Sequence, residues 1–336
     1  MATKKKKKSG LNTPMLVISA VALVVFLVFI ALSVRNILVA DKPAEPVMEE
    51  VPQSAIPVAV DYTSESRELF DKLIIRDGGA EYLPDMLDRF KPLYAANSDT
   101  IGYLKIPGTS IDTVVVQSDE DNGLTGKYKY LKNDFYGEFT KYGNVFLDYR
   151  CGKYTLSTNT ILYGHTTEDG QQVFYDLEKY ENPEFFKKNP IVEYSTLYNT
   201  YRFKIFAVFA TTVNPEDDGG YVFDYIYPAM DADDMQGYLA GVKERELYHT
   251  GVEVTPTDKI LTLSTCSYLF HTNGRRITAR LVVVARMLRD GEAESIDPAL
   301  VTAHDDYRRP QAWYNATGQQ NPYKNSVKWM PKSLQR

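Results

Sequence analysis

The chain has 336 residues, too many for one small domain and too few for three. Hydrophobic residues make up 44% of it, with 25 Tyr and 15 Phe, which is enough to bury one sizeable core. The net charge of -6, and a folded part without a basic stripe, argue against a nucleic-acid-binding protein.

The N-terminal part has the pattern of a membrane anchor. Residues 15–34 carry no charge and follow a lysine cluster at residues 4–8. As a helix this stretch would be about 30 Å long, the thickness of the hydrocarbon core of a bilayer. The apolar stretch is longer than that of a signal peptide, so an uncleaved anchor is favoured over a cleaved signal. We therefore expect a cytoplasmic tail over 1–14, a lipid-embedded span over 15–39, and an extracellular domain, which is a single-pass type II topology at the cell membrane.

Composition divides the rest of the chain into three parts. Residues 40–62 are rich in Pro, Glu and Ala and predict an extracellular linker. Residues 63–290 carry the periodic patterns of a folded domain. Residues 291–336 are polar and predict a C-terminal extension that is extended or disordered, unless its Tyr and Trp residues pack on the domain or on the cell wall.

Apolar spacing predicts a mainly β fold with added helices. Residues 64–94 show helical spacing that Gly78 and Gly79 interrupt. Further helices are predicted over 172–180, 183–188 and 231–248. Alternating or continuous apolar runs predict eight strands, over residues 101–106, 111–117, 144–148, 160–163, 191–194, 201–211, 259–266 and 277–286. Many short strands with few helices favour a closed or nearly closed β-barrel.

Three reactive residues lie at the ends of predicted strands. Cys266 and His165 each end a strand, and Arg280 lies near the start of the last strand. A thiolate is a strong nucleophile, a histidine has the pKa range for proton transfer to an amine, and an arginine can hold a developing oxyanion. Each residue alone is a weak signal, and their order with the surrounding residues carries the specificity.

The residues around them resemble the sortase family, class B. The segment TLSTC at 262–266 resembles the TLxTC signature, and its Ser264 is typical of class B. The segment ILYGH at 161–165 is similar to the strand that carries the catalytic histidine of the family. The segment RLVVVAR at 280–286 resembles the RxVVVAK segment of the catalytic arginine. Residues 101–117 follow the first two barrel strands, so the likeness covers about 64–288.

The resemblance implies a fold and an activity. The fold would be a closed sortase-type eight-stranded β-barrel with N-terminal helices and a helix inserted before the cysteine strand. The activity would be that of a cysteine transpeptidase, which cleaves an NPQTN-like or related C-terminal sorting signal of an exported protein after Thr. A thioacyl enzyme would then pass the protein to an amine of a peptidoglycan precursor. The family also implies a Gram-positive origin, with no cofactor and no metal.

The resemblance also implies a role for individual residues. Cys266 would be the nucleophile, His165 the proton donor and acceptor, and Arg280 the oxyanion ligand. Substrate-binding positions would be Tyr163, Ser264 and Thr265, with Asn122, Leu131 and Tyr221 as looser candidates.

Some alternatives stay open in the sequence. Arg280 lies fourteen positions after Cys266, more than is usual in class B, so Arg275 and Arg276 compete for its role. His271 is a minor rival to His165, and Cys151 is expected to be an ordinary buried cysteine.

The alternative functions are another exported cell-wall cysteine hydrolase or transpeptidase, and a non-enzymatic, membrane-tethered binding domain. An L,D-transpeptidase would need an SHGC-type run, and in NlpC-type enzymes the cysteine precedes the histidine. In this chain His165 precedes Cys266, which is the reverse of the NlpC-type order.

Overall fold

A computed structural model describes residues 75–77, 80–83, 85–121, 128–166, 173–272 and 276–334. The predicted tail, span and linker over 1–62, as well as Asn122 and Arg275, lie outside the described residues. The boundaries of the predicted domains therefore stay predictions.

The described chain begins with an antiparallel hairpin where helix was predicted. Strands β1 (Ile75–Asp77) and β2 (Ala80–Tyr82) pair with Asp77 opposite Ala80. The two residues between them, Gly78 and Gly79, are of the kind that two-residue hairpin turns favour, so the signal taken for a helix break indicated a hairpin. Residues 64–74 lie outside the described residues. Within the described part, the helical prediction over 64–94 is confirmed at its end, where a 3-10 turn (Asp88–Phe90) leads into α1 (Lys91–Ala96).

Eight strands form the closed barrel, which confirms the predicted architecture. Their bounds are β3 (Thr100–Lys105), β4 (Asp112–Val116), β5 (Val145–Leu147), β6 (Asn159–Tyr163), β7 (Ile191–Thr196), β8 (Thr200–Thr212), β10 (Ile260–Ser267) and β11 (Ala279–Met287). The order around the barrel is β10-β11-β8-β7-β3-β4-β5-β6, and each strand overlaps one of the eight predicted strands. The short strand β9 (Tyr248–His249) lies outside the barrel.

Besides α1, the described residues form three further α-helices. Their bounds are α2 (Pro183–Lys188), α3 (Ala232–Arg245) and α4 (Gln311–Thr317). Helices α2 and α3 match the helices predicted over 183–188 and 231–248. A 3-10 helix (Tyr175–Glu181) occupies the place of the helix predicted over 172–180. The Asp231 side chain accepts a hydrogen bond from the Asp234 amide and so caps the N-terminus of α3.

Both faces of β10 and β11 are buried, which explains their nearly continuous apolar runs. Leu263 and Val283 belong to the core inside the barrel. Val282 and Val284 belong to a second core outside it, where α3 packs with Met235 and Tyr238. A strand buried on both sides has no polar face, so alternation is lost there.

The C-terminal extension is packed on the domain, so the expectation of an extended or disordered tail is wrong. Strand β12 (Thr302–Ala303) pairs with β9, and α4 buries Tyr314. The Trp329 ring packs on Phe223 and Tyr238 of the second core. The alternative, in which the aromatic residues of the extension pack on the domain, is confirmed.

The predicted localisation as a single-pass membrane protein needs correction. Crossing a bilayer takes about 20 consecutive, mainly apolar residues in one helix. Within the part of the chain that the structure describes, no helix has both the length and the apolar character for this. The predicted span itself lies outside the described residues. Because of this finding, the prediction of a membrane-anchored protein does not stand.

Candidate active site

Cys266 is the one residue of β10 that is not buried. The other seven residues of the strand are buried, and Cys266 lies near its C-terminal end with a partly exposed side chain. A thiol must reach solvent or substrate to react as a nucleophile. Cys151 is unsuited to this role. It is only 3% exposed, and burial raises the pKa of its thiol to about 12, which disfavours the thiolate.

Arg280 lies directly opposite Cys266. The two residues are paired across antiparallel β10 and β11, so their side chains project from the same face of the sheet. Arg276 lies outside the strand and is exposed, with its guanidinium 5.1 Å from the Tyr268 ring centroid. The pairing therefore favours Arg280 over Arg276 as the arginine beside the thiol.

His165 follows the strand on the other side of β10. Strand β6 runs parallel to β10 with Tyr163 opposite Ser264, and His165 and Cys266 each lie two residues further along. The Gly164 amide donates to the Ser264 carbonyl at 3.4 Å, which continues the pairing beyond the end of β6. Because neighbouring strands lie about 4.8 Å apart, this register brings His165 beside Cys266. His271, the minor rival, is exposed and packs on Tyr268.

The contact of the imidazole assigns its tautomer. His165 Nε2 lies 2.7 Å from the carbonyl oxygen of Leu131, and a carbonyl oxygen can only accept. Nε2 therefore carries the hydrogen, and Nδ1 is the nitrogen that can exchange a proton with the site. Leu131, predicted to bind substrate, contributes its backbone to hold the histidine.

Tyr163 lies above an ion pair whose carboxylate, Asp148, is buried and whose cation, Arg150, is exposed. Its hydroxyl donates to Asp148 at 2.7 Å, and Asp148 also accepts two hydrogen bonds from the Arg150 guanidinium. Burial and the negative charge of Asp148 raise the pKa of Tyr163, and hydrogen bonding to Asp148 raises the pKa of Arg150. Asp148 and Arg150 had no assigned role in the sequence, because only the fold brings them beneath Tyr163.

Tyr225 contacts the strand that carries Cys266, and sequence reasoning missed it. Its hydroxyl lies 2.9 Å from Ser264 Oγ, on the face of β10 that carries Cys266. Burial raises the pKa of Tyr225. The predicted residue of this loop, Tyr221, is instead covered by the extension, and its hydroxyl donates to the Trp329 carbonyl. The sequence offers tyrosines at 221, 225 and 227 as candidates for a contact with the cysteine strand. The local sequence pattern does not show which of them makes it.

Thr265 lies on the opposite face of β10 from Cys266. Its side chain is buried and donates from Oγ1 to the Gly164 carbonyl at 2.8 Å. It holds the segment that carries His165, and its predicted contact with substrate stays a prediction. Among the described residues, the group that could hold a metal ion is Glu246, His249 and His304, and none of these is a predicted site residue.

Comparison with known proteins matches residues 104–288 to the sortase domain, which is more than half of the chain. The chain belongs to the sortase family. Sortase B of Staphylococcus aureus is 33% identical over 202 residues, which are 60% of this chain and 75% of that protein. Sortase B of Listeria monocytogenes is 33% identical over 205 residues, which are 58% of this chain and 78% of that protein.

The fold comparison agrees. The structure of a Staphylococcus aureus sortase B-substrate complex matches with a TM-score of 0.51 and 31% identity, covering 62% of this chain and 88% of the other. This sortase is a cysteine transpeptidase of class B. Sortases act on substrates that carry a sorting signal and on amine nucleophiles. The extension after residue 288 lies beyond the segment that matches the domain.

Proposed function

We propose that this sortase cleaves a C-terminal sorting signal of the NPQTN-like or a related type after its Thr and joins the protein to an amine of a peptidoglycan precursor. The observation that carries the proposal is the partly exposed Cys266 between Arg280 on one neighbouring strand and His165 at the end of the other. The resemblance to class B supports the choice of signal.

In the first half-reaction, the Cys266 thiolate attacks the carbonyl carbon of the Thr and forms a C–S bond. The negative charge that develops on the carbonyl oxygen is stabilised by the Arg280 guanidinium. As the C–N bond breaks, protonated His165 donates a proton to the leaving amine. The product is a thioacyl enzyme and a free C-terminal fragment.

In the second half-reaction, the acceptor amine attacks the thioacyl carbon. His165 takes the proton that the amine loses, and the C–S bond breaks to release the Cys266 thiolate. Water would compete with the amine, so hydrolysis of the signal is the side reaction expected without an acceptor.

The test is cleavage of fluorogenic pentapeptides of the NPQTN, SPKTG and LPxTG types by the full chain, with and without an amine acceptor. The variants are Cys266→Ala, His165→Ala and Arg280→Ala, with Arg276→Ala as the matched arginine control. Residues that act as a unit lose nearly all turnover when any one is removed, so we expect at least about a 10³-fold loss for the first three. Arg276→Ala should keep wild-type turnover.

Either half of the proposal can fail separately. A dead Arg276→Ala beside an active Arg280→Ala would move the oxyanion role to Arg276. Cleavage of the LPxTG peptide alone would overturn the class of signal. If no peptide is cut and mass spectrometry finds no thioacyl adduct on Cys266, the role of Cys266 as acyl carrier for these signals is wrong.

A further inference from the structure

Helix α3 carries two interior glycines, and an aromatic ring lies against each. A Cβ atom at Gly237 would be 2.1 Å from Trp329 Cδ1, and one at Gly241 would be 2.5 Å from Phe223 Cε2. Glycine inside a helix costs about 1 kcal/mol relative to alanine. At both positions the missing side chain is what allows a ring to contact the helix backbone.

The residues after Trp329 attach the end of the extension to the same helix and to the loop before it. The Lys332 amide donates to Asp234 Oδ1 at 2.9 Å, and the Lys332 ammonium contacts Asp233 at 2.7 Å. The Ser333 hydroxyl contacts the Tyr227 hydroxyl. We name residues 329–333 the C-terminal clip.

Aromatic contacts connect the clip to the active site. Trp329 packs on Phe223 with ring centroids 5.8 Å apart. Phe223 packs on Phe209, and Phe209 on Tyr225, each at 5.9 Å. The Tyr225 hydroxyl reaches Ser264, which lies two residues before Cys266 on the same face of β10. Trp329 is half-buried, and the other side chains of the path are buried and in contact with one another. A displacement at one end is therefore transmitted by packing.

We infer that the C-terminal clip positions the loop over residues 221–230 for the transpeptidation. With the clip in place, Phe223 is held between Trp329 and Phe209, and Tyr225 is held against Ser264. Trp329 is thus a positioning residue that acts through Phe223 and Tyr225. The measurement of kcat and KM rests on the proposed function, because it needs Cys266 to cleave a peptide. The alkylation and unfolding measurements do not.

The decisive variant is Gly237→Ala, because its added methyl group expels the Trp329 ring while alanine favours the helix. It is compared with Trp329→Ala, with the conservative Trp329→Phe, and with Val327→Ala, whose side chain is 85% exposed and adjacent to the clip. All are made in the full chain. The readouts are the midpoint of thermal unfolding, the kcat and KM for the cleaved pentapeptide, and the rate at which iodoacetamide alkylates Cys266.

We expect Gly237→Ala and Trp329→Ala to lower kcat/KM at least tenfold, since a misplacement of about 1 Å can cost 10²-fold. Both should also change the alkylation rate at least threefold, which needs no substrate. The double variant, Gly237→Ala with Trp329→Ala, should be no worse than the more affected single variant. Both changes remove the same contact, so their effects should not add. Trp329→Phe should stay within about threefold of wild type, and Val327→Ala should be unchanged.

Wild-type alkylation and kcat/KM in both Gly237→Ala and Trp329→Ala would overturn the inference. So would a loss of activity that follows the unfolded fraction and disappears on cooling, since that is a purely structural role. If Trp329→Ala does not fold, Gly237→Ala and Trp329→Phe decide. If the wild type cuts no peptide, the proposed function fails while the alkylation rates still test the clip.

Discussion

Asp148 is a fully buried charge beside the active site, and its partners explain why it is tolerated there. It is 0% exposed, and it accepts hydrogen bonds from the Arg150 guanidinium and from the Tyr163 hydroxyl. A buried carboxylate is stable only when it is paired and its oxygens are hydrogen-bonded. Arg150 also donates to the Ile226 carbonyl, so the network connects Tyr163 to the loop that carries Tyr225.

Replacing Asp148 should therefore be costly. In Asp148→Asn the buried side chain loses its charge-assisted hydrogen bonds with Arg150, whose own cation is exposed to solvent. The free energy of unfolding should therefore fall by about 2 kcal/mol, as measured by urea denaturation. Asp119→Asn is the control, because Asp119 pairs with Lys153 at 3.1 Å through a side chain that is 88% exposed. That change should cost less than about 1 kcal/mol. Equal losses in the two variants would show that the Asp148 network contributes nothing special.

Strand β10 organises the site at the scale of secondary structure. It pairs antiparallel with β11 and parallel with β6, so one strand brings Arg280 and His165 to opposite sides of Cys266. His165 lies beyond the last paired residue of β6, where two hydrogen bonds at Gly164 continue the attachment to β10. One is donated by Thr265 Oγ1 to the Gly164 carbonyl.

Removing that hydroxyl should loosen His165. In Thr265→Val, a change of nearly constant shape, we expect a stability loss of about 1 kcal/mol. We also expect kcat to fall about tenfold, because the imidazole would no longer be held in register. Thr265→Ser keeps the donor and should restore most of kcat in the pentapeptide assay. If the valine variant turns over like the wild type, the bond to Gly164 has no part in orienting His165.

The extension is joined to the rest of the domain at both ends, first to barrel strands and last to α3. At its start, Glu292 accepts hydrogen bonds from Arg286 and Lys204, whose side chains are buried. At its end, the clip closes over α3. Hydrogen bonding to Arg286 and Lys204 lowers the pKa of Glu292. The carboxylate is thus more stable in the folded protein than in the unfolded chain.

This ion cluster predicts a pH dependence. The folded-state pKa of Glu292 lies below its unfolded value of about 4.3, so its stabilisation is present above that pH and is lost as pH falls through the lower folded value. Glu292→Gln should lower the thermal midpoint clearly at pH 7, and the difference from wild type should shrink near pH 3. Glu294→Gln is the control, because Glu294 is more exposed and pairs with Arg202 at the surface. A constant difference at both pH values would contradict the assignment.

The sequence by itself determined the eight barrel strands and the three candidates Cys266, His165 and Arg280. Alternation and short apolar runs are local, and the motifs around these residues are a few positions long, so both can be read without the fold. The roles of the three residues stay predictions. The hairpin at residues 75–82 was missed because a Gly-Gly pair between two short segments fits a helix break as well as a turn.

Only the tertiary structure decided the surroundings of the site. The Trp329 carbonyl accepts from Tyr221, 108 positions away, and Ser264 meets Tyr225 across 39 positions. Local periodicity contains nothing about such pairs, since they depend on how α3 and the extension fold back on the barrel. The polar extension was expected to be disordered for the same reason: its few aromatic residues find their partners on distant parts of the chain, and burial there offsets the entropy of ordering.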